Sequence, residues 1–171
     1  EALRTYPALF RAGVVGPDGF PDLLTGQRNI HLAADKWFKH VWNKANAIRD
    51  RDTRLRAKAF VVGFLTHGAG DMYGHTFINH YAGGPFDVGQ NAVKHLVIEG
   101  WIAHNGPQPV NWSISVTGIE QFLIDVFLDG SRDGDLHGLL TEPGGHADGV
   151  WTVTSWLSRL KRGLNAQIAW Y

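Results

Sequence analysis

Three side chains with metal-ligand chemistry recur at intervals of four in the stretch GFLTHGAGDMYGHTFIN: His67, Asp71 and His75. A helix advances about 100° per residue, so four steps return to within about 40° of the starting direction and all three side chains share one face. His95 and Glu99 repeat the interval downstream. Imidazole nitrogen and carboxylate oxygen are donors that zinc accepts, and two helices carrying H-x-x-x-D-x-x-x-H and H-x-x-x-E supply enough of them for more than one ion. A lone His at this spacing is usually a satisfied core or surface residue, and His95 with Glu99 alone would be an ordinary side-chain pair on an exposed helix. Asp71, however, stands in a helix otherwise made of Ala, Val, Phe, Leu and Gly, where a carboxylate is costly to bury unless it is paired or binds a cation. The alternative to a metal is a polar seam of His–Asp hydrogen bonds between packed helices.

Further donors lie upstream, in VVGPDGFPDLLTGQRNIH. Asp18 and Asp22 fall in a Pro/Gly-rich segment expected to be a loop, where turn-forming aspartates are common. His31 is expected to open a helix, and Asp18 with His31 would complete a mononuclear site with His67 and Asp71. Asn79, one turn beyond His75, is a candidate to touch substrate or to cap its helix. His40, His80, His104, His137 and His146 have no partner at ligand spacing and read as surface residues or as residues behind the ligands. The chain has no G-x-S-x-G elbow, no H-E-x-x-H, no phosphate-binding G-x-x-x-x-G-K and no E-x-x-H, which removes the corresponding hydrolase, nucleotide and di-iron chemistries.

The elements that must position these residues are read as helices. The opening segment is expected to be a short helix at most, followed by loop, because Pro7, Gly13, Gly16, Pro17, Gly19, Pro21 and Gly26 punctuate it. Ile30, Ala33, Trp37, Phe38, Val41, Trp42, Ala45 and Ile48 follow the amphipathic-helix rule from about residue 29. The charged stretch 49–56 reads as a connection. The metal-motif helix is predicted over about 53–80, with a centre that is apolar nearly all round as a central buried helix should be, and its Gly63, Gly68, Gly70 and Gly74 make sense if backbone or substrate must come close. Residues 81–89 read as a loop, 90–104 as the helix of His95 and Glu99, and 115–128 as a further helix. A long Gly/Asp-rich loop over 130–149 then precedes a last helix over 150–170. The best strand candidate, SISVT at 113–117, is short. The predicted fold is all-α, a multi-helix single domain with metal ligands on facing core helices.

Composition narrows the function classes. The 171 residues are 44% hydrophobic with 7 Trp and 9 Phe, which excludes a disordered chain. Sixteen basic and 16 acidic side chains cancel, so no overall field draws in nucleic acid or an anionic membrane. No apolar run approaches the ~20 residues of a membrane span, and the chain as written is expected to be soluble, with at most peripheral membrane contact. Without cysteine, disulfides, thiolate ligands and thiol nucleophiles are excluded together. A first residue of Glu1 rather than Met suggests trimming from a longer chain.

The pattern resembles the zinc-dependent phospholipase C superfamily, which includes the catalytic domain of glycosylphosphatidylinositol-specific phospholipase D and the fungal single-strand nucleases. AGVVGPD at 12–18 is similar to that family's Gly-to-Pro-Asp loop, FLTHGAGDMYGH at 64–75 to its central metal helix and KHLVIE at 94–99 to its second-metal pair. The resemblance implies that Asp18, His31, His67 and Asp71 hold one zinc and that His75, His95 and Glu99 hold a second. The interval between Asp71 and His75 is shorter than in bacterial phospholipase C and closer to the phospholipase D branch. Phospholipase C and nuclease relatives hold a third zinc through an amino-terminal residue, usually Trp, and a nearby His. Glu1 and the lack of any His before His31 make two ions the expected number. The implied activity is hydrolysis of a phosphodiester in a phospholipid or glycolipid head group, with Asp18, or Asp22 in its place, orienting the attacking water or serving as base. The resemblance also favours a secreted protein. Two other readings stand beside it: a single-strand nuclease of the same fold, for which a basic groove is not evident, and a non-catalytic, metal-stabilised helical binding domain.

Overall fold

The computed structural model of the chain describes residues 1–19, 34–107 and 113–127. These residues form α1 (Ala2–Thr5), α2 (Pro7–Gly19), α3 (Ala34–Ala47), α4 (Arg51–Ala82), α5 (Ala92–Asn105) and α6 (Glu120–Phe127), and no strand occurs among them. The all-α expectation holds for them. The long loop over 130–149, the helix over 150–170, His31, Asp22, His137 and His146 lie outside the described residues.

The organising element is α4, whose 32 residues make a rod about 48 Å long at 1.5 Å per residue. It begins earlier than its apolar pattern suggests. Asp50 accepts the Thr53 N–H at 2.7 Å as an N-cap, so the charged stretch 49–56 is mostly helix start rather than connection. Asp52, in the first turn, accepts from the Tyr6 hydroxyl and from Arg56 Nε, the latter at 2.7 Å. Those donors, Tyr6 first, hold the Asp52 carboxyl below the usual carboxylate range. At the other end Gly83, at φ 90°, takes the left-handed cap and returns its N–H to the Asn79 carbonyl.

The opening segment differs from expectation: it is helical through Gly19, so Asp18 lies in the last turn of α2 rather than in a loop. Packing explains why glycines did not break it. A Cβ on Gly13 would lie 2.0 Å from the Phe60 carbonyl oxygen, and one on Gly63 would lie 2.1 Å from that of Phe10. Residues that weaken an isolated helix here let α2 and α4 touch backbone to backbone, and tertiary contact outweighs propensity.

Around that contact the core gathers Leu9 and Ala12 of α2, Trp37, Val41 and Ala45 of α3, Phe60, Val61 and Phe64 of α4, and Phe122, Leu123, Val126 and Phe127 of α6. Trp37 stacks on Phe127 at 5.5 Å, and Phe127 meets Phe64 at 5.9 Å, separations at which rings attract beyond their buried area. His40, expected at the surface or behind the ligands, belongs to this core: its Nε2 lies 3.2 Å from the Val126 carbonyl oxygen, to which only a protonated nitrogen can donate. The helix predicted from 115 starts at Glu120 instead. Ser115 gives its N–H to the Ala8 carbonyl oxygen of α2, and Gly118, at φ 84°, turns the chain before α6.

Burial along α4 is uneven, which corrects the expectation of a helix buried all round. The stretch from Ala57 to Phe64 is covered, whereas Met72, Tyr73, Phe77 and Tyr81 are exposed, Tyr73 at 83%. No helix among the described residues is long and apolar enough to cross a membrane.

Candidate metal centre

The half of α4 that leaves the core carries His67, Asp71 and His75 on one face, and α5 packs against it with His95 and Glu99. Four-residue spacing within each helix makes the neighbours. His67 Nε2 stands 3.0 Å from one Asp71 oxygen, and His75 Nε2 stands 3.8 Å from the other. On α5, His95 Nδ1 lies 3.2 Å from Glu99 Oε1. The two sets meet across the helix pair: His75 Nε2 is 3.5 Å from the same Glu99 oxygen, and the His75 and His95 rings are 5.1 Å apart. The structure thus joins all five predicted ligands on α4 and α5 into one continuous chain of contacts.

The second set is a compact group. One donor atom from each of His75, His95 and Glu99 falls within 4.8 Å of the others. Donors around a tetrahedral zinc at ~2.1 Å stand ~3.4 Å apart, and the two contacts to Glu99, at 3.2 and 3.5 Å, match that edge. Hydrogen-bond chemistry agrees. His95 is 1% exposed, and burial lowers its pKa, so the ring is held neutral. Its Nε2 is 3.0 Å from Asn79 Oδ1, and a ring proton on Nε2, donated to that oxygen, leaves a lone pair on Nδ1. That Nδ1 is buried without a hydrogen-bond partner, beside a carboxylate oxygen that is also an acceptor. With the proton on Nε2, the Nδ1 lone pair and the Glu99 oxygen are two acceptors 3.2 Å apart, an arrangement that a cation between them would satisfy.

His67 follows the same rule. Its Nδ1 is 2.7 Å from the Val14 carbonyl oxygen of α2, and because a carbonyl only accepts, Nδ1 carries the proton and Nε2 is the nitrogen turned to Asp71. A ring held through one nitrogen by a backbone carbonyl is the usual support for a histidine ligand. The sequence could not supply Val14, which acts through its backbone, nor Phe86, whose ring stands edge-on to His95 at 5.4 Å. Asn79 was legible as a helix cap: its carbonyl caps α4, and its side chain is engaged with His95. The His67 and Asp71 set would need Asp18 and His31 to be complete. Asp18 is in the last turn of α2, and His31 lies outside the described residues. Of the other histidines, His80 meets the Tyr81 ring at right angles and His104 lies in the last turn of α5.

Comparison of the chain with known protein families, with curated proteins and with solved structures gave no match.

Proposed function

We propose that the chain is a zinc-dependent phosphodiester hydrolase acting on phospholipid or glycolipid head groups, with His75, His95 and Glu99 holding one ion and His67 and Asp71 helping to hold another. The observation that carries this reading is the convergence of one donor each from His75, His95 and Glu99 within 4.8 Å of one another, with His95 Nδ1 buried and lacking a hydrogen bond. Three protein donors leave a position open, as catalytic zinc sites do and closed structural sites do not. Access favours the same side: the side chains of His75 and Glu99 keep 29% and 25% of their exposure.

Zinc in such a site supplies Lewis acidity toward a phosphoryl oxygen and acidifies bound water. The chain's own residues do the rest. Asp71, between His67 and His75, ties the two sets together and contributes the negative charge that a cation pair needs. Val14 and Asn79 hold the two rings with the ligating nitrogen inward. Asp18, carried over from the family resemblance, is assigned to orient the attacking water or to take its proton.

Hydrolysis of bis-p-nitrophenyl phosphate by the purified, zinc-replete protein tests this reading. Turnover is expected to be abolished by chelator and restored by zinc. Zinc binding without turnover on this ester or on phospholipid would instead favour a metal-stabilised binding domain. About two zinc equivalents should be found by metal analysis, and one or none would overturn the two-site assignment.

A further inference from the structure

The amide of Asn79 serves no purpose in capping α4, because the cap is made by its backbone. The Asn79 carbonyl oxygen accepts the N–H groups of both Gly83 and Gly84, at 3.0 and 2.8 Å. This fixes the residue at the end of the helix and leaves the side chain to reach across to α5. There its Oδ1 meets His95 Nε2 at 3.0 Å, and the Phe86 and His75 rings stand 5.4 and 5.1 Å from the same imidazole. Two acceptors flank the imidazole, Asn79 Oδ1 at Nε2 and Glu99 Oε1 at Nδ1, and the one that takes the ring proton sets which nitrogen keeps a lone pair.

We propose that Asn79 is a positioning residue: its side-chain oxygen holds His95 in the tautomer protonated at Nε2, so that Nδ1 presents its lone pair beside Glu99 Oε1 and His75 Nε2. This assignment rests on the metal reading of the His75, His95 and Glu99 group. The opposite amide orientation would donate to Nε2 and move the ring proton to Nδ1, where it would bond Glu99. The site would then be closed by a hydrogen bond and poorly disposed to bind a cation.

Aspartate distinguishes the two, because a carboxylate can accept from Nε2–H and cannot donate. Zinc affinity is read by competition with a chromophoric chelator at pH 8. Nitrogen-15 spectra of the imidazoles are recorded on metal-free protein at the same pH, so the tautomer is seen without zinc. Asn79→Asp should retain the Nε2–H tautomer and bind zinc at the second site at least as tightly as the wild type. Asn79→Leu should mix the tautomers and weaken that site roughly 10–100-fold, the usual consequence of losing the group behind a ligand. Circular dichroism identifies a Leu variant that fails to fold, and the wild-type spectrum then decides alone: a proton on Nδ1 overturns the proposal. It is also overturned if Asn79→Asp loses the tautomer, or if a folded Asn79→Leu keeps both tautomer and affinity. His95→Ala separates this failure from failure of the metal reading. If that variant binds as much zinc as the wild type, His95 is no ligand and the metal reading falls with it.

Discussion

Asp71 is the residue on which both ligand sets depend, since its two oxygens face His67 at 3.0 Å and His75 at 3.8 Å. Asn has nearly the same shape and no charge. Asp71→Asn is therefore expected to leave helix content unchanged, to weaken zinc binding beyond the ~10–100-fold typical of losing an outer partner, and to abolish turnover. Zinc affinity and activity within a few-fold of the wild type would show that Asp71 is not a ligand. His95 makes a separate statement about pH. Burial lowers its pKa from the ordinary 6.5, so on acidification the unfolded chain takes up the proton first and folding loses stability. Above about pH 6.5 this residue contributes no slope, and below it stability falls until the folded ring also protonates. Glu99 and His75 face the ring. The relevant measurement is thus the difference in unfolding free energy, in chelator, between the wild type and His95→Gln from pH 7.5 to 5.5. The wild type should lose more on acidification, and parallel curves would contradict a neutral buried ring. The five candidate ligands of α4 and α5 could be read from the sequence because four-residue spacing is a within-helix property. Val14, Phe86 and the buried role of His40 could not, because nothing in a spacing says which distant residue packs opposite.

At the scale of elements, the glycines of α4 separate into two kinds that the sequence makes look alike. Gly63 is pressed against α2, and Gly68 would set a Cβ 2.0 Å from Phe38 Cζ, whereas Gly70 has nothing within 4 Å. Gly63→Ala must push apart two backbones rather than a flexible side chain. It is expected to cost roughly 1–3 kcal/mol, a fall in melting temperature on the order of 5 °C for a chain of this length. Gly70→Ala should act oppositely. With open space around it, the helix gains roughly 1 kcal/mol of propensity, a rise of about 2–4 °C. Thermal melts of the pair check the assignment, and a Gly63→Ala protein as stable as the wild type would mean that α2 and α4 are not in backbone contact. The same contact explains which elements were legible. α3, α4 and α5 announce themselves by long apolar periodicity. α2 does not, because its Gly and Pro residues are breakers by local preference and become helical only with α4 to lie against. The start of α4 was misplaced for the converse reason: Asp50, Asp52 and Arg56 look like a solvated connection until the cap and the Tyr6 contact reveal a helix N-terminus.

At the scale of the molecule, the proposed metal centre is also a statement about stability. Three imidazoles and two carboxylates converge between α4 and α5, where they are partly or wholly desolvated. Without a cation, nothing offsets the desolvation of the carboxylates of Asp71 and Glu99 beside the imidazole nitrogens. A metal that binds only the folded chain stabilises it by RT ln(1 + [L]/Kd), ~4 kcal/mol when free metal is a thousandfold above Kd. For 171 residues that corresponds to a rise in melting temperature of about 10 °C. Melts recorded in chelator and in excess zinc should be separated by that order. His95→Ala, which removes a ligand from the second set and leaves His67 and Asp71 in place, should show a smaller zinc-induced rise than the wild type and a larger one than a variant lacking both His67 and His95. Superimposable melts in chelator and zinc would mean that the faces of α4 and α5 form a polar seam, and that the buried lone pair of His95 is satisfied by a proton instead of a metal.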